Sequence, residues 1–127
     1  MIYVDTSALV KLVIPETESA SMREYATDTL VTSALTAAEL RRTVRRMAPH
    51  LMVEAEQVLG QVTQLSIDAD VLRSAGGLDP LSLRTLDAIH LATALRVRDE
   101  LDAFVAYDSR LLEAARLAGI PTASPGL

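Results

Sequence analysis

Two short apolar runs, each followed at once by an aspartate, limit the folds open to this chain. Ile2–Val4 leads into Asp5, and Phe104–Tyr107 leads into Asp108. Runs without alternating polar residues are typical of strands buried on both faces, as in a parallel sheet covered by helices. Because an ionised carboxylate is costly to bury without a partner, an aspartate directly after such a strand needs hydrogen bonds or a cation.

Helical and strand-like segments alternate along the whole chain. Apolar spacing, glycines and prolines predict strands at 2–4, 30–32, 62–67, 104–107 and 121–124, and helices at 6–14, 18–28, 36–47, from Pro49 to about 61, at 68–75, 83–97 and 110–118. In the helix over 83–97, Leu86, Ile89, Ala92 and Leu95 are expected to face inward, with Leu91 as a further candidate. Alternation of this kind implies right-handed crossovers and an α/β fold with a parallel sheet covered on both faces. No repeat or linker interrupts the pattern, so residues 1–127 are expected to form one domain.

Composition narrows the classes of function. Half of the 127 residues are hydrophobic but only 3% are aromatic, which disfavours a module that stacks bases on aromatic side chains. The absence of cysteine excludes disulfides and thiolate chemistry. The net charge of -5 argues against non-specific duplex binding through a broad basic surface. No targeting or membrane-spanning segment stands out, and a cytoplasmic location without membrane contact is expected.

Two further acids, Glu39 and Asp87, lie in apolar helical segments, and they complete a set of four with Asp5 and Asp108. Ligands in open parallel sheets bind beyond the carboxyl ends of the strands, and helices also begin near that edge. The four carboxylates are therefore candidate ligands for one cation site. Oxygen ligands without His or Cys favour Mg²⁺ or Mn²⁺, and such a site is suited to phosphodiester hydrolysis.

Each acid taken alone also has a structural explanation. The stretch from Thr36 to Glu39 matches a capping box, in which the glutamate bonds back to the first residue of the helix. Asp5 and Asp108 are reasonable helix N-caps, and Asp87 at the start of a helix complements the helix dipole. A shared cation site is favoured because all four acids would have to be caps and also end at the same edge of the sheet.

Several neighbouring residues are candidates for supporting roles. The hydroxyls of Thr6 and Ser7 stand next to the first acid, where they could orient a water or a carboxylate, although helix capping is the simpler role for Ser7. His90 lies one turn after Asp87, and packing in the core is a commoner role for such a histidine than general-base catalysis. Four of the twelve basic residues fall within six positions, and they form either a phosphate-contacting patch or a solvated helix face: Arg41, Arg42, Arg45 and Arg46. Arg42, one turn after Glu39, could also shield that carboxylate.

The acids and their surroundings resemble the PIN-domain ribonucleases of the VapC toxin type. The resemblance covers essentially the whole chain, and the order and spacing of four segments carry it: Tyr3-Val-Asp5-Thr-Ser-Ala-Leu, Ser33-Ala-Leu-Thr-Ala-Ala-Glu39, Thr85-Leu-Asp87-Ala-Ile-His-Leu-Ala-Thr-Ala-Leu and Phe104-Val-Ala-Tyr-Asp108-Ser-Arg-Leu. The third segment is the most distinctive of them.

The resemblance implies a three-layer α/β/α fold with a parallel sheet of four or five strands. It also implies a Mg²⁺- or Mn²⁺-dependent endoribonuclease that cuts structured RNA such as tRNA or rRNA, with the four acids as catalytic metal ligands and Thr6 or Ser7 assisting. Such toxins are usually homodimers held inactive by a VapB-type antitoxin, and they contact promoter DNA only through that antitoxin.

Other α/β phosphoryl-transfer classes fit less well, although a strand-terminal aspartate also serves as a nucleophile. A haloacid-dehalogenase-like phosphatase needs a second aspartate two residues after the first, where this chain has Ser7. A receiver-type protein needs paired acids and a suitably placed lysine, and Lys11 is the only lysine. A PIN-like scaffold that binds a partner without cutting RNA is the non-enzymatic alternative.

Overall fold

The sheet consists of five short strands that all run parallel. In the computed structural model, which describes residues 1–127, the strands are β1 (Ile2–Val4), β2 (Leu30–Ser33), β3 (Thr63–Leu65), β4 (Ala103–Val105) and β5 (Thr122–Ala123). Their order across the sheet is β3-β2-β1-β4-β5, so the first strand of the chain lies at the centre. The predicted parallel sheet of four or five strands is confirmed, and it has five.

Seven α-helices connect and cover these strands: α1 (Thr6–Val13), α2 (Ser19–Tyr25), α3 (Leu35–Met47), α4 (Met52–Gln61), α5 (Ala69–Gly76), α6 (Thr85–Leu95) and α7 (Ser109–Leu117). Single 3-10 turns lie at Pro49–Leu51 and Arg98–Glu100. None of the helices is long and apolar enough to span a lipid bilayer.

Side-chain alternation along β1 divides the interior into two cores. Ile2 and Val4 point to one face, where they join a cluster built largely from α1, α3 and α4. Tyr3 points to the other face and belongs to a cluster built largely from α6 and α7. On that side the ring of Tyr3 stacks on Phe104 of β4 with a centroid distance of 5.0 Å. The structure thus has the three-layer α/β/α architecture that the resemblance implies.

Helix α6 is buried around almost its whole circumference between Ala88 and Ala94, which differs from the predicted one-sided pattern. It packs against α5, α7 and strand β2, so that neighbours surround it on several sides. The helix is also shorter than predicted, and Leu86, which was expected to face inward, is 48% exposed near its start. A helix enclosed in this way has no single apolar face for a periodic pattern to reveal.

Helix α3 begins one residue earlier than predicted and leaves its last apolar side chain in solvent. Apolar residues at helical spacing, Ala37, Leu40, Val44 and Met47, predict the inward face of this helix; Leu40 and Val44 are fully buried, whereas Met47 is 57% exposed. Thr36, a polar residue, is fully buried instead. The buried residues of α3 therefore extend to its N-terminal end, near the end of β2, and stop before its C-terminal end.

Leu86 and Leu91 test the orientation of α6. We expect Leu91→Ala to lower the free energy of unfolding by about 2 to 5 kcal/mol, because Leu91 is fully buried and its removal leaves a cavity. Leu86→Ala on the same helix is the matched control, with an expected loss below about 1 kcal/mol. Urea denaturation at equilibrium measures both. Equal losses would contradict the orientation of α6 described above.

Candidate functional site

Asp5 lies at the carboxyl end of the central strand and is 5% exposed. Its Oδ1 accepts a hydrogen bond from the backbone N–H of Ala8, which makes it the N-cap of α1, and another at 2.6 Å from the hydroxyl of Ser7. Ser7 Oγ in turn accepts a hydrogen bond from the N–H of Tyr107, just beyond β4. The capping role expected for Asp5 is confirmed, and Ser7 orients this carboxylate rather than capping the helix itself.

Glu39 is held by side chains from two other helices. Its Oε1 accepts a hydrogen bond of 2.6 Å from the hydroxyl of Thr6 on α1, and Nε2 of His90 on α6 lies 2.7 Å from the same oxygen. The predicted capping box is wrong, because α3 begins at Leu35 and Thr36 is already inside the helix. The side chain of Glu39 is therefore free to reach across to its neighbours.

Asp87 and Asp108 line one open cleft of about 410 Å³ between the starts of α6 and α7. Asp108 caps α7 through Oδ1, which accepts hydrogen bonds from the backbone N–H groups of Arg110 and Leu111, as expected of an N-cap. Asp87 lies in the first turn of α6, as expected. Arg84 and Arg110 also line this cleft and form no ion pair with the acids, so positive and negative groups share it.

Asp87 is close enough to each of the other three acids for the charges to interact at this edge of the sheet. Burial raises the pKa of Asp5 to about 6, and the charge of Asp87 contributes to the rise. Burial also raises the pKa of Asp87, with added repulsion from Asp108 and Glu39. For Glu39 burial acts in the same direction, but the hydrogen bonds from His90 and Thr6 outweigh it and lower the pKa.

Each of the four carboxylates has at least one oxygen that accepts no hydrogen bond from the protein. Asp5 and Asp108 bond only through Oδ1, Glu39 bonds only through Oε1, and neither oxygen of Asp87 accepts a hydrogen bond from the protein. Since no side-chain oxygen is both buried and unpartnered, the unused oxygens face solvent. As the side chains are oriented, no three of these acidic groups or His90 enclose a single position for a metal ion. Their donor chemistry suits a hard cation, but the four acids stand as separate groups around the cleft.

The four arginines of α3 divide into one that is paired and three that are not. Arg41 forms two hydrogen bonds with Glu56 of α4, from Nε at 2.7 Å and from Nη2 at 3.0 Å. Arg42, Arg45 and Arg46 line a shared surface depression and have no acidic partner. Arg42 makes no contact with Glu39, so its predicted shielding of that carboxylate is wrong. We call Arg42, Arg45 and Arg46 the arginine patch.

His90 and Thr36 are the polar residues that sequence reasoning undervalued. His90 is 2% exposed and bridges Tyr3 and Glu39, while the hydroxyl of Thr36 lies 3.3 Å from that of Thr6. A polar residue at an otherwise apolar helix position was the available signal for both. Arg84 and Arg110 were also missed, because nothing local distinguishes them from surface arginines.

The buried charge of Asp5 predicts a particular response of stability to pH. Because the folded-state pKa is about 6 and the unfolded value is near 3.8, the folded protein binds more protons between these values, and its stability falls as pH rises through this window. We expect Asp5→Asn to raise the free energy of unfolding at pH 7.5 by about 1 to 3 kcal/mol, with the gain shrinking toward pH 4. Chemical denaturation across this range measures the effect, and destabilisation at pH 7.5 would contradict it.

Comparison with known proteins identifies the family. The model of the PIN domain family matches residues 2–117. Ribonuclease VapC47 of Mycobacterium tuberculosis (strain CDC 1551 / Oshkosh) is 43% identical over 133 residues, which cover 99% of this chain and 98% of that protein. The fold also matches a toxin-antitoxin complex from Klebsiella pneumoniae, with a TM-score of 0.76 and 22% identity over 98% of both chains. Mycobacterium tuberculosis VapC20, described as a sarcin-ricin loop cleaving toxin, matches with a TM-score of 0.76 and 19% identity over 98% of this chain and 100% of that one. The chain therefore belongs to the PIN domain family and is of the VapC type.

Proposed function

We propose that this protein is the toxin of a type II toxin–antitoxin pair and acts as an endoribonuclease on structured RNA such as tRNA or rRNA. The observation that carries the proposal is the set of four acids around one edge of the sheet, each with an oxygen left free for a ligand. Identity of 43% to a protein named as a ribonuclease, over nearly the full length of both chains, supports the same activity. A non-catalytic scaffold would not require a buried carboxylate that costs stability.

The proposed cofactor is Mg²⁺ or Mn²⁺. Asp5, Asp87 and Asp108 would hold the ion through their free oxygens, with Glu39 contributing through Oε2. When bound, such an ion lowers the pKa of a water, orients it for attack and neutralises charge on the scissile phosphate. The pKa values of Asp5 and Asp87 are raised chiefly by burial and secondarily by neighbouring carboxylates, and this supports the proposal because a nearby cation would stabilise the charged form of both.

The protein's own groups prepare the site for a phosphodiester. Ser7 and Thr6 fix one oxygen each of Asp5 and Glu39, so these carboxylates present their other oxygen in a defined direction. Arg84 and Arg110, exposed beside Asp87 and Asp108, offer guanidinium groups to phosphate oxygens flanking the cut. The arginine patch on α3 would contact RNA phosphates at a greater distance from the acidic site. Arg41 would contribute less, because Glu56 already neutralises its charge.

The proposed partners follow from the family and from charge. The structural match from Klebsiella pneumoniae is a toxin-antitoxin complex, which supports a VapB-type antitoxin as the partner of this chain. An acidic cleft favours an arginine of that partner in bidentate geometry. We propose in addition that the protein is a homodimer and that it reaches promoter DNA only through the antitoxin.

Cleavage assays on the purified full-length chain test the catalytic assignment. We expect cuts at a limited set of RNA sites with Mg²⁺ or Mn²⁺, none with EDTA, and a loss of at least about 100-fold in Asp5→Asn, because the ion would lose a buried charged ligand. Asp99→Asn, an exposed acid of the Arg98–Glu100 turn, is the matched control. Full activity of Asp5→Asn would overturn the assignment of Asp5.

The arginine patch has its own test. Replacement of Arg42, Arg45 and Arg46 by Ala should weaken RNA binding and reduce the slope of log K against log salt by about 1 for each phosphate that the variant no longer neutralises. Arg41→Ala on the same helix should change the slope less, since Glu56 already offsets its charge. Fluorescence anisotropy at a series of salt concentrations measures both. An unchanged slope in the triple variant would mean that the patch is a solvated helix face.

A further inference from the structure

His90 is buried at the centre of a polar chain that runs from the sheet to the acidic site. Its Nδ1 lies 2.8 Å from the hydroxyl of Tyr3 on the central strand, and its Nε2 lies 2.7 Å from Oε1 of Glu39 on α3. His90 is 2% exposed and Tyr3 is completely buried, so water does not replace these partners. The imidazole ring thus connects the middle of the sheet with the carboxylate of a second helix.

The chemistry of the two partners fixes where the imidazole carries its proton. A carboxylate only accepts hydrogen bonds, so Nε2 must be the protonated nitrogen that faces Glu39. A phenol keeps its proton at neutral pH, and the completely buried hydroxyl of Tyr3 needs an acceptor for it. Nδ1 of a neutral imidazole is the acceptor that faces this hydroxyl. With a neutral imidazole, both contacts are satisfied when the protons point in one direction, from Tyr3 to His90 and from His90 to Glu39.

We propose that His90 is a positioning residue for Glu39, held by the hydroxyl of Tyr3 in the tautomer that carries its proton on Nε2. The hydrogen bond from His90 and that from Thr6 both end on Oε1. They fix the carboxylate plane and leave Oε2 as the oxygen available to a ligand in the cleft. His90 therefore acts through Glu39 and does not itself touch the substrate.

The same contacts argue against a purely space-filling role. The ring of Tyr3 is already packed by its stack on Phe104 and would remain so without its hydroxyl. An apolar residue at position 90 would fill the interior, but it would take the His90 contact from the buried phenol of Tyr3 and leave the partly buried carboxylate of Glu39 with Thr6 as its one donor, which is costly. Tyr3 of β1 orients His90 of α6, and His90 in turn sets the direction of one carboxylate oxygen of Glu39 on α3.

Nitrogen NMR of the full-length protein tests the tautomer directly. The chain has only two histidines, and His50 is exposed, so His50→Gln assigns the remaining imidazole signals to His90. We expect one bare nitrogen, Nδ1, and one protonated nitrogen, Nε2, in the wild-type protein at neutral pH. Tyr3→Phe leaves Glu39 alone to select the tautomer, so the signal of Nδ1 should shift as this nitrogen loses its donor, and a population protonated on Nδ1 should become detectable. A proton on Nδ1 in the wild-type protein, or a spectrum unchanged by Tyr3→Phe, would overturn the proposal, and the wild-type spectrum decides the first point without any variant.

A pair of conservative variants tests the consequence for the site, which rests on the proposed metal-dependent function. The amide nitrogen of Gln can take the place of Nε2, whereas the side chain of Asn is one methylene shorter and does not reach Glu39. We expect His90→Asn to weaken Mn²⁺ binding and to lower kcat by about 10- to 100-fold with KM nearly unchanged, and His90→Gln to lose clearly less. His50→Asn is the matched control.

The NMR spectrum and the assays of Mn²⁺ binding and cleavage distinguish an error in the role of His90 from an error in the proposed function. Mn²⁺ affinity is read from the electron paramagnetic resonance signal of the free ion, without RNA. Equal effects of His90→Asn and His90→Gln would show that His90 serves only the packing of the interior and would refute its positioning role. A wild-type protein that binds no Mn²⁺ and cuts no RNA would refute the proposed function, while the NMR spectrum would still decide whether Tyr3 fixes the tautomer.

Discussion

The burial of Asp5 is the constraint on which the arrangement of the site depends. The residue ends the central strand, where its backbone N–H donates to the carbonyl of Val105 at 3.1 Å, and it caps the first helix through its side chain. One position therefore joins the sheet to α1 and places a carboxylate where solvent hardly reaches it. Only Ser7 and the N–H of Ala8 donate hydrogen bonds to this carboxylate. Two donors leave much of the cost of desolvation in place, which is why burial raises the pKa of Asp5 so strongly.

A second group of polar contacts allows helices from both sides of the sheet to meet at this edge. Thr6 follows Asp5 directly and donates to Glu39, which His90 approaches from α6. Thr36 extends the group to Thr32 of the neighbouring strand at 2.7 Å. Because every buried polar side-chain atom here has a partner or reaches solvent, the edge is polar without the cost of unpaired buried groups. A polar network that is fully satisfied specifies one geometry, as a catalytic site requires.

Much of the fold could be predicted because its signals are local. Wholly apolar runs such as Ile2–Val4 marked the buried strands, and Asp5 and Asp108 were expected to cap the helices that follow them. The direction of Glu39 could not be predicted, since it depends on where α3 begins and on a histidine 51 residues away in the chain. The enclosure of α6 was missed for a related reason: tertiary neighbours, not spacing, decide which sides of a central helix are buried. The pairing of Arg41 with Glu56 likewise depends on how α3 and α4 pack.

The balance of charge explains why the four acids share an edge without closing around one point. Asp108 satisfies Oδ1 with two backbone N–H groups of α7, a cap that contributes about 1 kcal/mol. Glu39 is held toward His90 and Thr6. Asp87 has no donor and experiences the repulsion of Asp108 and Glu39. The donors hold Asp108 and Glu39 in place, and the repulsion between the charges is lower while the acids stay apart. A divalent ion would reverse this preference, because its attraction to the free oxygens acts on all four acids at once while the capping and bridging bonds occupy only the opposite oxygens.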